Sequence, residues 1–423
     1  MRADGGGTRR VVVIGAGVVG LCVAWYARAA GLDVVVVESG APDRDCCSLG
    51  NAGLIVPSHV VPLSAPGASW IALRSLFDRR SPLRVRPRLD RSFLAWCWRF
   101  WRSATQAHVE RSGPALRDIA LLSRSCFQLL GRQLGDTFDL CMRGLRVLCR
   151  THEGLEEEAC AARFAAGLGI PAEIMDAAGT ANAEPGLQMS IAGSVFYPLD
   201  AHLAPMKLLA ALQERLTGGS ATIRWHTPAM GWRTDSNRIR AVQTSAGDIE
   251  GDEFVLAAGA WSEQLARPLG LRIRLQAGKG YSVTLPRPCA RPASSLILSE
   301  ARIAVTPMAD CVRFAGTLEL AGLDKRVSAL RLAAMLQSIS RYLPAFDTTT
   351  LSAATPWAGL RPCSPDGLPY IGRTRRYDNL SICTGHAMMG VSLAPASGLL
   401  ISEILADRRP AVALAPFDPD RFA

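Results

Sequence analysis

The chain has 423 residues, more than one hydrophobic core ordinarily organises, so two domains are expected. Apolar residues make up 49% and charged residues 20%, which excludes a disordered or fibrous chain. The net charge of +10 favours acidic partners (anionic substrates, lipid head groups or nucleic acid), and composition alone does not choose among them.

Residues 1–10 are Gly-rich and basic, and the apolar run after them is broken by Gly15, Gly17 and Gly20 without a cleavage pattern. Residues 10–14, RVVVI, read as a strand buried on both faces. GAGVVG follows at 15–20, then an apolar helix ending near Gly31, then DVVVVE at 33–38, a second buried strand closed by an acid. This is a complete β-α-β unit. Gly15 makes the tight turn, Gly17 lets the backbone approach a pyrophosphate, and Gly20 lets helix and strand pack closely. The helix N-terminus offers free N–H groups to the phosphates, and Glu38 is placed to accept from ribose hydroxyls. The motif does not separate FAD from NAD, but the acid disfavours NADP.

Residues 40–67 form a long Gly-, Pro- and Ser-rich loop of the kind that carries function. Residues 69–135 hold Trp and Leu at helical spacing (FLAWCWRFW), read as core packing, with a membrane-surface role as the minority alternative. From 141 to 225 short strands mix with helices, and 238–258 contain a hairpin whose last strand runs into AAGAWS. There Gly259 permits close backbone approach to a ligand. Strands fill 272–320, a helix covers about 327–342, and the Gly/Pro-rich GLRPCSPDGLPYIG follows. The end of the chain gives a strand, a glycine loop near Gly390 and a long helix. No stretch of about 18 or more apolar residues marks a spanning helix. The twelve cysteines show no C-x-x-C pair or metal spacing, so no metal is expected, and their scatter fits a reducing, cytoplasmic compartment. Cys46 and Cys47, being adjacent, have the wrong geometry to bridge.

Several of these segments, in order and at similar spacing, resemble the glycine oxidase/D-amino-acid dehydrogenase branch of the FAD-dependent amine oxidoreductases. They are RVVVIGAGVVGLCVAWY, SLGNAGLIVPSHVVPLSAPG, AAGAWS, GKGYSVTLP, WAGLRPCSPDGLPYIGR and GHAMMGVSLAPASG. The resemblance runs nearly end to end, most of all to bacterial D-amino-acid dehydrogenase. It implies an α/β fold: a Rossmann-type FAD-binding domain (1–80, 145–265 and 355–423) interleaved with an α+β substrate domain on a mixed or antiparallel sheet (81–144 and 266–354). It also implies noncovalent FAD. Gly15, Ala16, Gly17, Val18, Val19 and Gly20 take the pyrophosphate, and Glu38 with Ser39 takes the adenosine ribose. Ser48, Asn51 and Ala52 lie along the flavin, Ala229 lies beside adenine, Ala258 and Gly259 approach the cofactor, and Gly390, Val391 and Ser392 close over the pyrimidine. Arg361 matches the arginine that binds the substrate carboxylate, a task suited to its bidentate fork. Tyr281, His386 and His59 match positions near the substrate less well, His59 standing where relatives carry an aromatic. Cys363 falls off the place where some relatives tether flavin.

The implied chemistry is oxidation of the C–N bond of a D-amino or cyclic D-imino acid, of D-proline or cis-4-hydroxy-D-proline type. Hydride passes to the flavin, with no catalytic group beyond the flavin and with orientation as the main effect. Quinone or another carrier is the expected acceptor, and peripheral contact with the inner face of a membrane is possible. Two alternatives compete: a glycine- or sarcosine-type oxidase using oxygen, and a nucleotide-binding or RNA-associated flavoprotein. The second needs Lys/Arg interleaved with aromatics on one face. The arginines are dispersed along the sequence, so no nucleic-acid partner is expected.

Overall fold

The computed structural model describes residues 8–68, 70, 81–218 and 221–423. Most of the leader and part of the helical reading for 69–135 fall outside them. Two sheets organise the chain. The first has six strands in the spatial order Tyr370–Arg373, Leu380–Thr384, Glu253–Leu256, Arg10–Ile14, Asp33–Val37, Ala221–Arg224. All neighbours are parallel except the outermost pair, Tyr370–Arg373 with Leu380–Thr384. The Val-rich strands are buried because helices cover the sheet, as a parallel sheet requires. Helices Val18–Ala29 and Gly390–Leu405 pack on each other in the core beside it. Their contact depends on Gly398, where a Cβ would stand 2.6 Å from the Cys22 backbone.

The second sheet has nine strands. Eight run in the order Pro356–Cys363, Gln276–Pro286, Cys311–Leu320, Ile303–Met308, Ser295–Leu298, Leu145–Cys149, Gly193–Tyr197, Glu173–Asp176, and Leu83–Val85 pairs with Cys311–Leu320. It is mostly antiparallel. One face buries Tyr281, Val283, Val305 and Phe314 under Met335, Leu336 and Ile339 of helix Ala329–Tyr342. The other face carries Arg313, Trp357, Gly359 and Arg361, since antiparallel partners share a face and neighbours alternate.

The sheets redraw the expected domain limits. Residues 145–197 contribute three strands to the nine-stranded sheet, not to the nucleotide sheet, and Pro356–Cys363 forms that larger sheet's edge. Helix Gln106–Leu134, expected on the substrate side, packs Leu116, Ile119, Phe127 and Leu130 into the core of the nucleotide sheet. The chain crosses between sheets more often than local composition reveals. The transmembrane reading also needs amendment. Residues Ala387–Leu405 make 19 helical residues of mean hydropathy 1.5, long and apolar enough to span, but 67% of that stretch is buried inside the fold. It is a core helix.

Gly398→Val should force the two central helices apart. Overpacking of this kind costs about 1–3 kcal/mol. Chemical denaturation of the holoprotein should show that loss together with reduced flavin retention, and unchanged stability would mean the helices tolerate separation.

Candidate active site

The carboxyl ends of the parallel strands meet along one rim, where an open α/β sheet offers its ligand crevice. At Gly15 the chain turns with φ +106°, and a Cβ there would stand 2.6 Å from the Ala257 carbonyl oxygen. At Gly20 a Cβ would meet the Gly15 carbonyl at 1.9 Å. Both glycines are required by packing. Gly17 differs: its Cβ direction meets nothing nearer than Ser48 Oγ at 3.8 Å, and it caps the Val18–Ala29 helix without a side-chain hydrogen bond. Gly259 (φ +55°) likewise has open space around its Cβ direction, and at Gly390 only His386 Cβ comes near, at 3.9 Å. Three glycines therefore leave room along one rim, beside two helix N-termini whose own N-cap residues, Gly17 and Met389, make no side-chain hydrogen bond.

The acid at the end of the second strand is more engaged than its position alone suggests. Glu38 accepts from the Ala16 N–H at 2.8 Å, the Gly40 N–H at 3.0 Å and the Ser39 hydroxyl at 3.1 Å. It also pairs with Arg44 Nε at 3.2 Å. Arg44 reaches the Ala16 carbonyl and lies over the Trp225 ring at 4.9 Å. Sequence reasoning missed Arg44, although a basic residue shortly after the acid was visible. The Glu38 carbonyl accepts from the Thr227 N–H at 2.8 Å, which brings Ala229 into the same corner.

The 46–60 loop is pinned from both sheets. Ser48 Oγ accepts from the Val18 N–H at 3.2 Å, and Asn51 Oδ1 accepts from the Gly53 N–H at 2.8 Å, with half-buried Ala52 between. Buried Arg313, on the large sheet, donates to the Leu49 carbonyl at 2.7 Å and the Asn51 carbonyl at 2.9 Å. Ser392 Oγ accepts from the Val56 N–H at 3.0 Å, and Ser123 Oγ donates to the Ser392 carbonyl at 2.6 Å. Ser392 and Val391 are buried, so their side chains serve the core and only their backbone is left for a ligand. Arg313 was also missed. Its one signal was a charge inside the apolar run CVRFAG.

Facing this loop, Trp357, Gly359 and Arg361 share one row of the large sheet. A Cβ on Gly50 or Gly359 would strike the Trp357 ring, so both glycines make the space in which the indole lies. Arg361 Nη1 donates to the Thr317 carbonyl at 2.7 Å. Among the described residues it has no carboxylate partner. A Cβ on Gly280, its neighbour across the strands, would fall 2.1 Å from the guanidinium. Thr317 holds φ +63°, rare for a β-branched residue, at a register shift opposite Lys279 and Tyr281. Strain of this kind persists where surrounding structure enforces it. Burial lowers the guanidinium's pKa, with Cys47 and Cys363 acting against the shift. Burial pushes the Cys47 thiol up to about 11 against the opposing pull of Arg361, so the arginine and the loop that holds Cys47 lie in each other's field.

The other three expected substrate residues fare differently. Tyr281 lies on the opposite face from Arg361. Its hydroxyl donates to Glu319 Oε2 at 3.1 Å and accepts from the Ser328 N–H at 3.1 Å, so it is a core residue of the large sheet. His386 turns into the last helix, its Nε2 2.9 Å from Ser397 Oγ, because Gly385 and Ala387 on either side adopt positive φ. Burial holds its pKa down at about 3. His59 is half-buried, its Nδ1 3.2 Å from Ser58 Oγ, which donates to Asp200 at 2.5 Å. Burial lowers His59 to about 4 and raises Asp200 to about 7, Ser58 opposing the latter. This trio bridges the 54–60 loop to the turn at Asp200.

Residues 10–404 match the family described as FAD dependent oxidoreductase. The chain belongs to that family. It is 36% identical to a D-amino acid dehydrogenase of Rhizorhabdus wittichii and 32% identical to one of Granulibacter bethesdensis, each over 98% of this chain and 100% of the relative. The fold is similar to that of glycine oxidase from Geobacillus kaustophilus (TM-score 0.78, 22% identity, 98% of this chain and 100% of that one). It is also similar to L-proline dehydrogenase from P. horikoshii (TM-score 0.73, 19% identity, 98% of each chain). FAD is the cofactor, and the rim fits it: the space at Gly17, Gly259 and Gly390 and the helix N-terminus that begins at Gly17 suit a dinucleotide's phosphates.

Gly17→Val should therefore yield folded protein with little or no flavin, since Gly15 and not Gly17 sets the turn. Absorbance at the flavin bands against near-native circular dichroism checks this, and full flavin content would place the nucleotide elsewhere. A second expectation concerns acid. His386, with a folded pKa near 3 against an ordinary 6.5, withholds no stability above pH 6.5 and loses it progressively as pH falls towards 3. Asp200 acts in the reverse direction between its ordinary range and about 7. His386→Gln, which keeps a polar group near Ser397, should flatten the fall of Tm below pH 6.5, and an unaltered slope would show that His386 is not buried neutral.

Proposed function

We propose that this enzyme oxidises the C–N bond of a D-amino acid or a cyclic D-imino acid, of D-proline or cis-4-hydroxy-D-proline type, to the imine. Electrons pass on to a quinone or another carrier, on the cytoplasmic side of the cell. The observation that carries the proposal is Arg361: a guanidinium anchored at one nitrogen, without a carboxylate partner among the described residues, on the sheet face turned to the Ser48 loop. Full-length likeness to two D-amino acid dehydrogenases supports the stereochemical class. Twelve unpaired cysteines support a reducing compartment.

The bound FAD supplies the hydride acceptor. The chain's own residues bind and orient. Arg361 offers its free edge to the substrate carboxylate in the bidentate manner that fixes a planar anion. Gly280 leaves the room for that edge, and the Thr317 carbonyl fixes its angle. The Trp357 ring lies between Gly50 of the loop and Gly359, two residues from Arg361. Of the expected substrate residues, His386 and Tyr281 are committed to the core and His59 is held neutral, so none of them forms an acid–base pair at this face. A substrate arriving as the free amine needs none, and rate comes from alignment.

Arg361→Lys keeps the charge and loses the fork, while Arg361→Ala loses both. Removing a buried charged partner costs about 3–5 kcal/mol. That corresponds to roughly two to four decades in kcat/KM for Arg361→Ala, with Arg361→Lys between it and wild type. Flavin content should be unchanged, and the matching amine without a carboxylate should lose far less. Equal losses on both substrates would show that Arg361 supports the fold or the flavin.

A further inference from the structure

Thr317 combines features that packing alone does not call for. The ladder between Gln276–Pro286 and Cys311–Leu320 pairs Lys279 with Glu319 and Tyr281 with Gly316, so Thr317 and Leu318 together stand opposite Gly280. This is a β-bulge, and its first residue lies in the left-handed region at φ +63°. Glycine ordinarily fills such a place, because a side chain there is strained and a β-branched one most of all. Glycine would release the strain and still offer Arg361 Nη1 its carbonyl, which lies at 2.7 Å. The side chain of Thr317 is left to be explained.

Its surroundings explain it. Tyr281 and Glu319 lie on the face covered by helix Ala329–Tyr342, where Arg331 approaches Glu319 at 3.8 Å. Gly316 shares that face, and a Cβ on it would stand 2.9 Å from Ile303. Alternation turns Thr317 to the other face, the one that carries Arg361. The guanidinium lies over Gly280, the residue the bulge faces. Thr317 is 8% exposed, and its Oγ1, shielded from solvent, has no hydrogen-bond partner among the described residues. A buried hydroxyl without a partner is unfavourable, and native folds hold few of them. Strain and an unpaired hydroxyl thus coincide on one residue, beside one cation, and such strain gathers where ligands bind.

We propose that the Thr317 hydroxyl donates a hydrogen bond to the substrate carboxylate beside the Arg361 fork, which makes Thr317 a second substrate-binding residue. The inference rests on the reading of Arg361 as the carboxylate anchor. One bulge residue then aligns the cation with its C=O and the anion with its O–H. A carboxylate has about four lone-pair sites and the fork fills two, so a hydroxyl takes one that remains. The neighbouring guanidinium draws the carboxylate to this hydroxyl in preference to the amine.

The test compares Thr317→Val, which deletes the hydroxyl and keeps the branched shape, with Thr317→Ser, which keeps the hydroxyl. Flavin reduction of each holoenzyme is followed with D-proline and D-alanine and with the matching amines, pyrrolidine and ethylamine. Thr317→Val should lower kcat/KM on the amino acids about tenfold or more, mostly through KM, and on the amines less than about twofold. Its Tm without substrate should equal or exceed that of the wild type, since an unpaired buried hydroxyl has gone. Thr317→Ser should stay within about threefold of wild type on every substrate. If Thr317→Val does not fold, Thr317→Gly, which lacks the hydroxyl and releases the strain, takes its place with the same expected kinetics. Three results overturn the proposal: unchanged kinetics without the hydroxyl, equal losses on amino acids and amines, or Thr317→Ser as impaired as Thr317→Val. Should Arg361→Ala lose the amino acids selectively while Thr317→Val does not, this inference fails alone. Should the wild type show no preference for the carboxylate-bearing substrates, the Arg361 reading fails and takes this one with it.

Discussion

The arrangement of the site depends on one buried cation. Arg313 sits on the inward face of the large sheet and donates to the carbonyls of Leu49 and Asn51, in a loop anchored at its other side to the nucleotide domain. Its Nε is taken by Thr284 at 3.0 Å, so the guanidinium is spent on neutral acceptors. Neutral oxygens compensate a buried charge only when its hydrogen bonds are made well. The loop between the two sheets is therefore held by an interaction that has to be nearly complete, and the relation of Ser48 to Arg361 follows from it.

Around that anchor the two sheets do different work. The parallel sheet brings strand ends, glycines and helix N-termini to one rim, which is a general answer to a dinucleotide. The antiparallel sheet contributes one row, Trp357, Gly359 and Arg361, and a bulge that puts Thr317 at φ +63° with its carbonyl on the guanidinium. Pre-set geometry at Arg361 is what the proposed carboxylate-binding role requires. The strain at Thr317 is local, and the eight residue pairs between Gln276–Pro286 and Cys311–Leu320 on either side of it sustain it.

The β-α-β unit was legible because everything that defines it is local: a Val-rich strand, a glycine loop, an apolar helix and a closing acid within 29 residues. Arg361 was singled out through its motif, and it lies on the sheet face turned to the Ser48 loop. Tyr281 was misplaced because Gly278, not Tyr281, pairs with Arg361: three residues further along a strand in unbroken register, Tyr281 takes the other face, and the pairing partner is not written in the sequence. His386 was misplaced because the positive φ of Ala387, unusual for that residue, turns the ring into the helix. Arg313 and Arg44 act on carbonyls far away in sequence or across a turn, and such contacts have no spacing to read. The domain limits failed for a similar reason. Strands from 145–197 and 276–363 meet in one sheet although a nucleotide-sheet segment, 221–256, lies between them.

The central claim is that Arg361 and the flavin rim together select one hand of an amino acid. Anaerobic stopped-flow mixing of the holoenzyme with paired D- and L-enantiomers, proline and 4-hydroxyproline among them, follows flavin bleaching without any assumption about the acceptor. The account predicts rapid bleaching with the D-forms and little with the L-forms. Fast reduction by L-amino acids alone would contradict it.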